Sequence, residues 1–242
     1  METTDLLLLY KTEYGERGEI LHTYSAEYGF QVLRSYELNT RTLPMARGEV
    51  HVLALVTASY ELPRPPYPMG ILRSIERLYS HHKIQSDLIR KSISLVMCEI
   101  LEYTLRRTTG EAAMLQFIKN SLRVLNEAPS AELTYFIHRF LLMLSVRLGF
   151  CPQGEYSITT PVFNLQTGCF QSAPMLYTEL ILSDKYAAVL SALLKDEKIG
   201  RETLDRNERN LLLAAQIRYL EIHTELKLTI KSLPILQQIL HS

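Results

Sequence analysis

Short apolar runs separated by glycines fill the first sixty residues, at residues 6–12, 19–25, 29–36 and 50–60. They are rich in Leu, Val, Ile and Tyr, and Gly15, Gly18, Gly29 and Gly48 sit between or at the edges of them, where turns need a positive φ. Four or five short strands with no helix-length segment among them predict a small barrel or a strongly curved sheet. Pro63, Pro65, Pro66 and Pro68 then place four prolines in six residues. Prolines remove backbone donors and disfavour helix before them, so this segment reads as a stiff linker and sets the expected domain boundary near residue 70.

Beyond it the period changes to 3.6. Over residues 84–107, Ile84, Leu88, Leu95, Val96, Ile100 and Leu105 fall near one stripe, with Arg90, Lys91, Glu99, Arg106 and Arg107 largely off it. Thr109 is the expected cap of a second helix carrying Met114, Phe117, Ile118, Leu122 and Leu125. A third helix, over 131–148, stops at Gly149. Ser183 is expected to cap a helix through 194, and Asp205 with Glu208 reads as a capping box for a long helix reaching 227, with a short helix after Lys231. Residues 151–177 fit no helical pattern and read as an irregular insertion in a helical domain spanning 71–242. The pattern thus predicts an α+β chain: a barrel at 1–70, then helices.

Composition narrows the class. The 242 residues carry 26 Lys+Arg against 26 Asp+Glu, and 47% are hydrophobic, which supports a buried core and excludes disorder. Residues 156–178 form the longest uncharged stretch, but Pro161, Asn164, Gln166, Gly168 and Pro174 interrupt it, so no membrane span is predicted. The opening Met-Glu-Thr-Thr-Asp lacks the basic region of a signal peptide. Cys98, Cys151 and Cys169 make no disulfide framework and suit a reducing cytoplasm, the expected location. Residues 1–80 sum to −2, 81–150 to +3 and 151–242 to −1, so only the middle is basic, and mildly.

Catalytic signatures are missing: no phosphate-binding or dinucleotide-binding glycine loop, no Gly-x-Ser-x-Gly and no His-Glu-x-x-His occurs. Asp184, Asp196, Glu197, Glu202, Asp205 and Glu208 gather where helix ends are expected, and capping explains them. His81-His82 and the separated Cys151 and Cys169 lack the spacing of a metal site, so neither metal nor cofactor is expected. Basic residues interleave with aromatics in the first domain: Tyr10-Lys11, Tyr14 with Arg17, Arg34 with Tyr36, then Arg41 and Arg47. Such a set suits a groove that holds single-stranded nucleic acid by phosphate attraction and base stacking. Equally, tyrosine favours strands and fills small barrels. A second basic set, including Arg90, Lys91, Arg106, Arg107, Lys119, Arg123, Arg139 and Arg147, belongs to the predicted helices.

Several segments, in order along the chain, resemble the RecO family of bacterial recombination mediators. Tyr14-Gly15-Glu16 is similar to the family's aromatic-Gly-Glu turn, the stretch from Tyr24 to Gly29 to its next turn, and Leu43-Pro44 to its Leu-Pro element. The stretches 91–101, 117–125 and 140–150 resemble its first three helices, with Pro152, the Gly168-Cys169-Phe170 turn and Leu182-Ser183 in place after them.

The resemblance implies an N-terminal OB-fold barrel and an all-α C-terminal domain with a short, degenerate zinc-finger-like insertion at 151–177. It also implies a non-enzymatic protein of the bacterial cytoplasm and nucleoid. Such a protein binds single- and double-stranded DNA, anneals complementary strands, cooperates with RecR, contacts single-stranded-DNA-binding protein and indirectly helps load RecA. Two departures stand out. Many members hold zinc with four cysteines where this chain has Cys151 and Cys169, and many carry a basic Lys-Gly-x-Arg segment where it reads Tyr36-Glu37-Leu38-Asn39. The expected DNA contacts are therefore Lys11, Arg17, Arg34, Arg41, Arg47, Arg106, Arg107 and Arg123, with Arg139 as a partner contact and no metal. The alternative is a protein–protein adaptor of the recombination machinery with little direct DNA affinity.

Overall fold

The computed structural model describes residues 1–15, 18–36, 51–66, 68–79, 81–176 and 178–239. Five strands, β1 (Glu2–Tyr14), β2 (Gly18–Ser25), β3 (Gly29–Tyr36), β4 (Ala54–Glu61) and β5 (Gly70–Arg77), close into a barrel in the order β1-β2-β3-β5-β4. The β3–β5 pair is parallel and the others are antiparallel, with β1 sealing onto β4. This is the OB-fold arrangement.

Leu6, Leu8, Leu21, Leu33, Val56 and Ile75 fill the interior, and the Tyr60 hydroxyl donates there to Gln31 Oε1 at 2.9 Å. The apolar run from Leu6 to Leu9 is buried on both faces. Its register slips between Leu8 and Tyr10, and the Cys98 thiol donates to the Leu9 carbonyl at 2.7 Å. Burial pushes that thiol's pKa far up, so it stays protonated and inert.

The proline-rich segment is not a boundary. It connects β4 to β5, so the barrel extends to Arg77. A proline cluster disrupts only its own residues. Gly70 resumes an extended strand whose Leu72 and Ile75 enter the barrel core.

Helices follow as α1 (His82–Ser86), α2 (Leu88–Leu105) and α3 (Ala112–Glu127). The first predicted helix is split because Asp87 is extended and its carboxylate caps α2 by accepting from Arg90 N at 2.9 Å. The second predicted helix, α3, begins at Ala112 rather than directly after Thr109, with Leu115 N donating to the Glu111 carbonyl. A 3-10 turn (Ser130–Tyr135) leads into α4 (Phe136–Arg147), and α5 (Asp184–Leu194), α6 (Arg206–Thr224) and α7 (Leu233–Ile239) complete the helices. The Asp205/Glu208 capping box forms on α6, which ends at Thr224, where Glu225 turns left-handed at φ 55°.

The insertion is more ordered than its composition suggests. It carries β6 (Val162–Asn164) and β7 (Cys169–Gln171), which with β8 (Ile181–Leu182) form a sheet in the order β7-β6-β8. These strands are two or three residues long, too short to show alternation in the sequence.

The chain divides into two compact units, Met1–Glu127 with Ile230–Ile239, and Ala128–Thr229. In the first, α7 returns to α2, and Ser232 N and Oγ both donate to Glu99 Oε2 at 3.1 Å. In the second, Phe163, Phe170, Leu190, Leu212 and Tyr219 belong to one core of helices and sheet.

Candidate nucleic-acid interface

Strand alternation sends Leu21 and Leu33 into the barrel and their neighbours outward. On that outer face of β1–β3, Tyr10 pairs with His22 across the sheet and stacks on it, ring centroids 3.9 Å apart at 11°. Phe30 lies 6.0 Å from His22. Arg106, immediately after α2, crosses this cluster: its Nη2 donates to the Tyr10 hydroxyl at 2.5 Å and to Glu102 Oε1 at 2.6 Å, and its guanidinium lies 5.2 Å from the Phe30 ring centroid. Burial, with the Glu102 carboxylate, pushes the Tyr10 hydroxyl up to about 12. Burial and then Arg106 lower His22, so the stack stays neutral at physiological pH. Arg34, one residue beyond Leu33, is half-buried on β3 and pairs in register with Ile20 and Ile71.

A close backbone contact fixes the segment that carries Arg106 and Arg107. Gly110 meets the β2–β3 turn so tightly that a Cβ there would come within 2.4 Å of the Ala26 carbonyl oxygen. Gly29, at φ +69°, meets it from the other side. The Tyr24 hydroxyl donates to the Thr109 carbonyl and accepts from Glu111 N, both at 3.2 Å.

The expected DNA contacts separate accordingly. Arg34 and Arg106 share one barrel face. Arg107 is exposed in the anchored segment. Lys11 is held across β1 and β2 by Glu19 at 3.2 Å, and Arg123 lies exposed on α3 beside a cleft. Arg17, Arg41 and Arg47 lie outside the described residues. In the second unit Arg139 pairs with Asp196 and donates to the Glu197 carbonyl at 3.1 Å. Sequence reasoning missed His22, Phe30 and Glu102. Aligning residues 6–12 with 19–25 about the turn between them would have placed His22 near Tyr10.

The family described as Recombination protein O C terminal matches residues 85–233, well over half of the chain. The chain belongs to the RecO family. No curated protein matches it. Membership gives it a role in DNA recombination and repair, and the OB-fold barrel stands where the resemblance expects it. Among the described residues, no helix is long and apolar enough to cross a membrane.

The zinc that many RecO proteins hold does not fit the donors here. The Cys151 and Cys169 thiols turn to the backbone carbonyls of Pro152 and Thr167. Among the described residues no three His, Cys, Asp or Glu side chains gather into a ligand set, whereas structural zinc takes four. Backbone pairing and packing hold this turn instead: Gln153 N donates to the Gly168 carbonyl at 2.7 Å and Phe170 N to the Gln153 carbonyl at 2.9 Å. The Tyr219 hydroxyl donates to the Phe150 carbonyl at 2.8 Å, and the His223 ring nitrogen Nε2 donates to the Leu165 carbonyl at 2.9 Å.

Proposed function

We propose that this RecO protein is a non-enzymatic mediator that binds single- and double-stranded DNA and anneals complementary strands. With RecR and single-stranded-DNA-binding protein it helps load RecA in the bacterial cytoplasm, at the nucleoid. The observation that carries this reading is the Tyr10–His22–Phe30 cluster crossed by Arg106 on an OB-fold face. Arg34, Arg106 and Arg107, with Lys11, Arg17, Arg41, Arg47 and Arg123, would offset phosphate repulsion so that two strands come together. Aromatic rings offer stacking platforms that ignore base identity, so sequence preference is expected to be low.

Fluorescence anisotropy with a labelled single strand, at about 50 and about 200 mM salt, tests it. Phosphate-driven binding weakens steeply with salt, with a logarithmic slope near −0.7 per phosphate contacted. No binding at the lower salt overturns the direct DNA role.

The second reading is the adaptor. Its support is the net charge of −2 over residues 1–80 and the carboxylates already paired with Lys11, Arg106 and Arg139. In that case the acidic tail of single-stranded-DNA-binding protein, or RecR, meets the protein at Arg139 and binds without DNA.

A further inference from the structure

Within the first unit, a cleft of about 310 Å³ lies between the barrel and α3, at the small end of ligand-site volumes of about 300–1,000 Å³. One side of α3 supplies most of its lining, with Gln116, Lys119, Asn120, Arg123 and Asn126 at helical spacing. Facing them, the segment after β5 supplies Tyr79, which is 54% exposed, and His81, which is 8% exposed. Among the described residues, His81 Nε2 is buried and has no hydrogen-bond partner. A buried nitrogen without a partner carries a free-energy cost, and a turn of the ring toward the cleft would let a ligand relieve it.

The polar groups offer mixed hydrogen-bonding character. Gln116 Nε2 donates to Asn120 Oδ1 at 3.1 Å, which leaves the Gln116 oxygen to accept and the Asn120 nitrogen to donate side by side. Asn126 Oδ1 accepts from Lys83 N and Ile84 N at 3.1 and 3.4 Å, so its nitrogen remains to donate. Leu55 is the one aliphatic lining residue among those described, too little for the apolar anchors of a peptide.

Charge limits what fits. Lys119 is paired with Asp5 at 2.9 Å, and Glu127 adds a carboxylate. Arg123 is the lining cation with no carboxylate within ion-pair distance among the described residues. A neighbouring cleft sharing Gln116 and Lys119 is lined by Asp5 and Glu27, which would repel a phosphate chain continuing that way.

We propose that this cleft binds a single nucleotide, its base against Tyr79, its base edge read by Gln116, Asn120 and His81, and its phosphate at Arg123. That nucleotide is either the terminal residue of a strand or a free mononucleotide. The strand alternative rests on the DNA-binding reading; the mononucleotide alternative does not.

Calorimetry on the full chain with 2′-deoxyadenosine 5′-monophosphate, and separately with inorganic phosphate, decides the matter. Saturable nucleotide binding is expected, with phosphate much weaker. The exposed-site variants Tyr79→Ala, Asn120→Leu and Arg123→Glu should each weaken it by about fivefold or more, with circular dichroism unchanged. Displacement of the nucleotide by a linear but not a circular single-stranded oligonucleotide identifies the strand end as the source; displacement by neither identifies the free nucleotide. The proposal is overturned by no nucleotide binding at millimolar concentration, by phosphate binding as well as the nucleotide, or by binding of an acidic peptide in its place. Strand binding without nucleotide binding sinks the cleft and leaves the barrel reading standing. Nucleotide binding without strand binding does the reverse.

Discussion

The two compact units offer contrasting uses of the same residue types. In Ala128–Thr229 several polar side chains turn to the protein itself: His138 and Gln216 are buried together, and Arg209 donates to the Arg201 and Leu204 carbonyls. Tyr219 and His223 hold backbone carbonyls of the insertion and its approach. In Met1–Glu127, Arg107 and Arg123 end in solvent and Arg106 lies over aromatic rings at the surface. A buried polar group must be satisfied inside or it costs stability, whereas an exposed one is free to meet a ligand. Charge balance alone cannot separate the two cases, because residues 1–127 carry 15 basic and 15 acidic residues and residues 128–229 carry 10 and 11.

The largest expected effect lies in the inward-turned unit and is read through pH. His138 Nδ1 bonds to Gln216 Oε1 at 2.8 Å, while Gln216 Nε2 donates to the His138 carbonyl at 3.0 Å. The amide orientation set by the second bond makes Nδ1 the donor in the first. Burial lowers the His138 pKa from 6.5 to about 4, with the Gln216 bond opposing it. The folded protein therefore takes up this proton less readily than the unfolded chain. Stability from this group is complete above about pH 6.5 and drains away as pH falls toward about 4, by about 3 kcal/mol at about 1.4 kcal/mol per pKa unit. Urea unfolding at pH 7 and pH 4.5 measures it. A double variant His138→Leu, Gln216→Leu should lose much less on acidification, and an unchanged pH dependence would contradict the assignment.

In the outward-facing unit the largest effect is steric. Gly110→Ala drives a Cβ into the Ala26 carbonyl, backbone against backbone, and is expected to cost about 2–3 kcal/mol. Strand affinity should fall with it, because the segment carrying Arg106 and Arg107 comes off the barrel. Retained stability with full affinity would show that this anchor does not position the interface. Next comes Arg107→Glu, which leaves the fold intact. Strand affinity should drop about five- to tenfold, and the salt slope should become shallower by about 0.7 per lost phosphate contact. Equal affinity at both salt concentrations would remove Arg107 from the interface.

Much of this architecture was legible in the sequence. The apolar runs set apart by glycines marked the barrel's first four strands, and Asp205 with Glu208 marked the start of α6. The fifth strand was hidden because Pro63 to Pro68 mimic a linker, although only residues within the cluster lose backbone donors. The split at Asp87 was hidden because Ile84 and Leu88 keep helical spacing across it. The site was less legible, since pairing is a property of register. Tyr10 and His22 are twelve positions apart and meet only through the β1–β2 hairpin, with a slip at Leu9. His81-His82 lacked the spacing of a metal site, and the cleft that His81 lines is built mostly from α3, more than thirty residues later.

The smallest effect concerns Arg139, where the two uses of a cation compete. Its partner Asp196 is 83% exposed, so the pair is worth less than about 1 kcal/mol, and Arg139→Ala should barely move the unfolding midpoint. An incoming acidic tail reaches this guanidinium only by replacing one carboxylate with another. Asp196→Asn leaves Arg139 in place and removes its competitor. It should therefore tighten binding of an acidic peptide about two- to fivefold, within the range of an exposed pair, and the gain should shrink as salt is raised. Anisotropy of a labelled acidic peptide on the wild type and on both variants measures this. Weaker binding to Asp196→Asn, or equal binding to Arg139→Ala and wild type, would leave Arg139 as a strut for the turn after α5.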